Sequence, residues 1–380
     1  MDTDKKMVIR ALILVTDYPG ANRKEAHRFV HVRNLFYQTN GIDVTVLNFA
    51  AGEDYQYEGI RVISLQTYRT LAEEYDVLIS HQANIRQHYL FMRQYGDRFP
   101  HFVLFFHGHE VLRFSRTYPK PYSFVSSSKI KSLLQDIYDL YKLSVWRRYI
   151  PQIIDKTSLI FVSQWMFDEF QKATHLTPDD LKDHYDITYN CVGKLFEEKT
   201  YDTKTSKVYD FVTIRSNLDG SKYCIDIVNE LAKNNQEAKF LVVGKGRFFE
   251  KNSKAVNLHW ENRTLNHQEI IDVLGTARCA LMPTRTDAQG LMMCEMATFG
   301  IPLITSELPV CHEALDSFQN VCMISNDSVD TKLLPICETL EAGLPYPKNK
   351  VYFNENTSAH EVEVIKKVAG RESCEAGKGI

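Results

Sequence analysis

Apolar residues in this chain gather in short β-branched runs, each followed by a stretch whose apolar positions recur every three or four residues. Residues 8–16 are the first such run and read as a buried strand. A loop through Pro19-Gly20-Ala21-Asn22 then leads to Phe29, Val32, Leu35 and Phe36 at helical spacing. Further strands are predicted at 43–49, 60–65, 76–80, 102–106 and 159–162, with helices at 85–95, at 130–154 and through Met166, Phe167 and Phe170. The alternation breaks at a polar stretch, 194–205, rich in Glu, Lys and Thr. It restarts with strands at 210–214, 239–243, 256–260, 279–282, 301–305 and 321–324, and a helix over 223–233 follows the first of them. Two successive βαβ series around one linker predict an α/β protein of two doubly wound Rossmann-like domains facing a cleft. The pattern sets the first domain at 1–195, a linker at 196–207 and the second domain at 208–350. Residues 351–380 are a C-terminal tail or helix expected to pack back on the first domain.

Composition narrows the class. The 380 residues are 44% hydrophobic and 24% charged, which suits two ordinary globular cores. Lys and Arg number 45 against 48 Asp and Glu, a net charge of −3, which excludes a nucleic-acid binder relying on a basic surface overall. With 17 glycines, 12 prolines and no long low-complexity segment, collagen-like and disordered classes fall away. The eight cysteines all follow residue 190 and form no C-x-x-C pair, so they read as buried thiols in a reducing compartment. Residues 8–15 are too short an apolar run for a membrane span, and no small-residue cleavage site follows. A cytoplasmic enzyme is the expectation.

Chemistry concentrates in Pro283-Thr284-Arg285-Thr286-Asp287-Ala288-Gln289-Gly290-Leu291-Met292-Met293-Cys294-Glu295. A strand runs into a loop holding Asp287, then Gly290 opens a helix with Glu295 about one turn in. The amides at such a start, near Gly290 and Leu291, seat a phosphate, and a carboxylate one turn on can accept two ribose hydroxyls. The bland alternative makes Asp287 a helix cap and Glu295 a solvated helix residue. Arg215 and Lys222 flank a turn sequence after a buried strand, where they either neutralise a departing diphosphate or are plain surface cations. Gly244, in Val242-Val243-Gly244-Lys245-Gly246, ends the next strand. In the first half, Phe105-Phe106-His107-Gly108-His109-Glu110 closes a buried strand with a polar cluster suited to sugar contact, base catalysis or local hydrogen bonding, and its spacing is not that of a zinc site. His81 ends the preceding strand.

Asp287-x7-Glu295 followed by Met296-Ala297-Thr298-Phe299-Gly300-Ile301-Pro302 resembles the E-x7-E signature of family 4 retaining glycosyltransferases, a GT-B-type family, here of the bacterial-polysaccharide kind. The resemblance takes in Glu313, the Arg215 and Lys222 pair and the Gly244 turn, covering the second half closely. It covers the first half loosely, through His107, His81 and Glu110. It implies a retaining, metal-independent transfer of a sugar from a nucleotide diphosphate sugar, a co-substrate rather than a cofactor, to a glycan or lipid-linked acceptor. Asp287 and His107 would face the sugar, Arg215 and Lys222 the diphosphate, Gly290 and Leu291 its oxygens, and Glu295 the ribose. Two departures stand out. Asp287 replaces the usual glutamate, and Gly20 stands alone where the family often has a glycine pair touching phosphate or acceptor. These leave room for a non-catalytic nucleotide-sugar-binding subunit, while a sugar-nucleotide epimerase would use the same frame. The basic and apolar residues of 129–149 read either as a helix packed into the first domain or as peripheral docking on the inner face of an anionic membrane.

Overall fold

The computed structural model describes residues 8–20, 27–125 and 129–370. It divides into two compact units. In the first, strands β1 (Ile9–Val15), β2 (Ile42–Asn48), β3 (Tyr55–Tyr57), β4 (Ile60–Ile63), β5 (Val77–His81), β6 (His101–Phe106), β7 (Thr157–Phe161) and β8 (Tyr185–Ile187) form one sheet in the order β3-β4-β2-β1-β5-β6-β7-β8. All pairings are parallel except the edge pair β3/β4. The central strands β1, β5, β6 and β7 are buried almost end to end, because helices cover both faces of a parallel sheet.

The second unit holds β9 (Tyr209–Asn217), β10 (Phe240–Lys245), β11 (Leu258–Glu261), β12 (Ala277–Leu281), β13 (Leu303–Ser306) and β14 (Val321–Ile324), all parallel in the order β11-β10-β9-β12-β13-β14. Counted from β9, this is the 3-2-1-4-5-6 order of a dinucleotide-binding sheet, whose order reverses between β9 and β12. Each unit is therefore doubly wound, as the alternation predicts. The two short strands β3 and β8, only partly buried, lack an apolar run and are not predicted by it.

The division of the chain departs from the expected boundaries in two places. Residues 114–137 group with the second unit, where Tyr122 and Phe124 pack on Phe248. The supposed linker belongs to the second unit too: it contains most of the helix Lys194–Glu198, with Phe196 buried, and Tyr201, buried against Phe299. Residues 353–370 group with the first unit, the side on which the C-terminal segment is expected to pack, and there the helix Ser358–Ala369 lies against the helix Arg28–Thr39.

That contact explains a second departure. The Arg28–Thr39 helix buries Val30, His31, Arg33, Asn34 and Tyr37 fully, while the apolar positions Phe29, Val32, Leu35 and Phe36 are only half-buried, Phe29, Leu35 and Phe36 against the same core. Arg33, wholly buried, donates from Nε to both Glu361 oxygens at 2.9 and 3.1 Å and from its other nitrogens to Phe29 O and Asn190 Oδ1. Tyr37 donates to the same carboxylate at 2.5 Å. A buried charge is tolerated when paired and fully hydrogen-bonded, and this one is.

Seven cysteines are free thiols, six of them buried; Cys374, like the chain start before residue 8, lies outside the described residues.

Candidate functional site

The second unit builds its site where the strand order reverses, from the loops after β9 and β12. Arg215 lies within β9 rather than on a loop, because the β9/β10 register shifts between Val243 and Lys245: Ile214 faces Val243, but Asn217 faces Lys245. The extra β9 residue brings the Arg215 carbonyl hard against Gly244. A Cβ on Gly244 would sit 2.1 Å from that oxygen, so only glycine fits. Gly244 is thus tied to the shape of β9. The Arg215 side chain turns toward β12 and donates to the carbonyls of Met282 (3.2 Å) and Pro283 (2.8 Å), while its buried Nε has no partner among the described residues. Burial pulls the guanidinium pKa down, and the nearby Asp287 charge opposes that shift.

Lys222 sits in the single turn Ser221–Tyr223. Its ammonium lies 4.8 Å from the Tyr223 ring and makes no hydrogen bond or ion pair among the described residues. The Arg215 guanidinium lies 5.1 Å from the same ring, so Tyr223 supports both cations. Nothing in the spacing of the sequence singles out Tyr223.

Arg285 is the second residue that sequence reasoning missed. It donates to both oxygens of Asp226 (2.9 and 2.6 Å) and to Ser221 O (2.7 Å), and its own amide donates to Lys222 O (2.9 Å). These bonds pin the Asp287 loop to the Lys222 turn. Tyr122 donates to Asp226 Oδ1 at 2.8 Å from the excursion 114–137.

The helix Leu291–Phe299 opens on Gly290, left-handed at φ 74°, where a Cβ would strike Met293. No side chain caps this helix, and the amides of Leu291 and Met292 meet no acceptor among the described residues. Asp287 is therefore not the cap; one of its oxygens accepts from the Ala288 amide at 2.9 Å. Glu295 is not solvated either. It is 4% exposed, its one hydrogen bond among the described residues is a long one of 3.4 Å from the Gly193 amide, and burial pushes its carboxyl up to about 7. Glu313 lies partly buried on the helix Pro309–Leu315.

In the first unit, His81 and His107 end the adjacent strands β5 and β6 and share a 3.3 Å Nδ1–Nε2 contact. Both are held well below the ordinary histidine pKa by burial, His81 next by the neighbouring His107 and His107 next by Arg33. His81 stacks on Phe105, and its buried Nε2 has no hydrogen-bond partner among the described residues. Phe29 packs on His107, with ring centres 4.9 Å apart. Glu110 turns back on its own loop: it accepts from the His107 amide, and burial raises its pKa against the opposing amides of residues 107, 110 and 108. That makes Glu110 a loop anchor. A Cβ on Gly20 would meet only Tyr55 at ordinary contact distance, so no close approach there demands glycine. Residues 21–26 beyond it lie outside the described residues.

Among the described residues, no group of three or more His, Cys, Asp or Glu is placed to hold a metal ion.

Residues 211–340 match the family described as glycosyl transferases group 1, and that stretch contains Arg215, Lys222, Gly244, Asp287, Gly290, Leu291, Glu295 and Glu313. No curated protein sequence matches the chain. Among solved structures the chain is similar to WaaG, a glycosyltransferase involved in lipopolysaccharide biosynthesis (TM-score 0.57, 14% identity, 94% of this chain and 99% of that one). It is similar to sucrose-phosphate synthase from Thermosynechococcus elongatus (TM-score 0.63, 9% identity, 97% and 98%). The catalytic domain of starch synthase IV from Arabidopsis thaliana, bound to ADP and acarbose, is also similar (TM-score 0.60, 9% identity, 95% and 99%). The fold is therefore GT-B, two Rossmann-like domains. Its second unit carries the match to glycosyl transferases group 1.

Proposed function

We propose that the protein is a retaining, metal-independent glycosyltransferase that moves a sugar from a nucleotide diphosphate sugar to a hydroxyl of a glycan or lipid-linked acceptor. The observation that carries this reading is the assembly at the β9/β12 reversal. There a buried arginine, a lysine with no hydrogen bond or ion pair among the described residues and an uncapped helix start come together, and one turn on stands a buried carboxyl whose one hydrogen bond among those residues is long.

In this reading Lys222 and Arg215 stabilise the charge that collects on the diphosphate as the sugar leaves, an effect concentrated in the transition state. The amides of Leu291 and Met292, with Gly290 allowing their approach, hold phosphate oxygens. Glu295 exchanges its long bond to Gly193 for the ribose hydroxyls. Asp287 keeps one oxygen on Ala288 and presents the other to the sugar. His107, neutral and backed by His81, is assigned to the sugar by the same proposal, as a hydrogen-bond partner rather than a charged group. Retention needs no protein nucleophile if a departing phosphate oxygen takes the acceptor proton. Gly20, Glu313 and Glu110 are given no part in the chemistry.

The test is a thermal-shift screen of nucleotide sugars, since a bound donor stabilises by RT ln(1 + [L]/Kd) and reports its identity without an acceptor. Transfer by the donor so found, to an acceptor panel with the product anomer read by NMR, follows. Donor conversion without acceptor identifies an epimerase, and binding without turnover across the panel identifies a non-catalytic subunit; either outcome overturns the proposal.

A further inference from the structure

The helix Lys129–Ile153 carries an uncovered apolar stripe. Ile130, Leu133, Leu134, Ile137, Leu140 and Tyr141 recur at three- and four-residue spacing on one side, and each is more than half exposed, from 52% for Leu140 to 71% for Ile130. Contiguous apolar surface on this scale marks an interaction site rather than ordinary scatter. At about 1.5 Å per residue the stripe is roughly 17 Å long, and no helix among the described residues is long and apolar enough to cross a membrane.

Charge selects the occupant. Between residues 113 and 148 there are eight Lys and Arg against two Asp and no Glu, a net charge of +6 within a chain whose total is −3. The stripe is bracketed by cations, Lys131 near its start and Arg147 and Arg148 beyond its end, all exposed. The two acidic residues are already subtracted in that balance. Asp139 is buried and paired with Lys142 at 2.9 Å, and Asp136 accepts a hydrogen bond from Ser115. A second copy of the helix would set cation against cation whether it packed parallel or antiparallel, because both ends are basic. An anionic lipid surface matches both the stripe and its flanks: apolar side chains enter the acyl boundary while lysine and arginine reach headgroup phosphates.

We infer that this helix docks the protein on the surface of an anionic membrane, lying in the interface rather than spanning it. The inference rests on the helix alone and stands or falls independently of the proposed transfer reaction.

The experiment is co-sedimentation of the full chain with vesicles of phosphatidylcholine, with and without phosphatidylglycerol. Binding to the anionic vesicles, weak on neutral ones and falling with added salt, is expected. Leu133→Ser with Leu134→Ser should weaken binding at least about tenfold, and Arg147→Glu with Arg148→Glu by about fivefold or more for each charge reversed. Both variants should keep the parental thermal transition, which separates lost docking from lost folding. No binding to anionic vesicles, or binding by both variants as tight as the parent's, overturns the inference. So does a concentration-dependent dimer, seen by ultracentrifugation, that the leucine variant disperses, since the occupant is then a second copy.

Discussion

Replacing Glu295 by glutamine should make the unliganded protein less sensitive to pH and its donor site weaker. Burial raises the carboxyl from 4.5 to about 7. At about 1.4 kcal/mol per unit, that shift corresponds to roughly 3 kcal/mol of differential interaction between the two protonation states. The folded chain keeps this proton where the unfolded chain has already lost it. The contribution to stability is therefore fully present below about pH 4.5, declines through pH 7 and is gone above it. Denaturation of the parent between pH 4.5 and pH 8 should show a loss of that order relative to Glu295→Gln, which has nothing to ionise at this position. Donor affinity should move the other way. If the ionised form accepts two ribose hydroxyls, its fraction rises from about one tenth at pH 6 to about nine tenths at pH 8, improving the apparent Kd about tenfold. A nucleotide sugar is the right ligand for calorimetry, because its diphosphate is esterified at both ends and does not titrate in this range. The glutamine variant should bind roughly ten- to a hundredfold more weakly at pH 8, with little pH dependence. Donor affinity that is flat with pH in the parent, or unchanged in the variant, refutes the assignment of Glu295 to the ribose.

Three further outcomes are expected. Asp287→Asn should lower turnover strongly while nucleotide diphosphate affinity, measured by calorimetry, stays nearly unchanged; equal turnover would remove Asp287 from the chemistry. Activity should survive EDTA, since Arg215 and Lys222 supply the positive charge, and loss on chelation restored by manganese or magnesium would contradict this. Glu361→Ala should destabilise the first unit by about 3–5 kcal/mol in urea titration because it strands the Arg33 cation, whereas Arg33→Met with Glu361→Leu should recover most of that loss.

Most of the parallel strands were legible because they are buried on both faces and so stand out as apolar runs, as residues 102–106 of β6 and 240–243 of β10 do. The buried face of the Arg28–Thr39 helix was not. Its polar residues are interior only because Glu361, 328 positions away from Arg33, supplies the counter-charge, and no local pattern reports a partner at that distance. The same holds at the site. Asp287, Gly290 and Glu295 sit within nine residues of one another and could be read together. Tyr223 and the Arg285–Asp226 pair could not, since their roles arise from two loops meeting across the sheet. Arg215 was recognised as a residue but misplaced, because a register shift is invisible until two strands are paired.

The Arg33–Glu361 pair also bears on how the chain comes off the ribosome. The unit that begins first lacks the counter-charge of its buried Arg33 until residues 358–369 have been made, which leaves it destabilised up to that point. The second unit, whose residues end at Tyr352, has every strand of its sheet available earlier. Domains generally fold as units during synthesis. In this chain the order of completion therefore runs against the order of translation: the internal domain is finished while the flanking one still waits for its final helix.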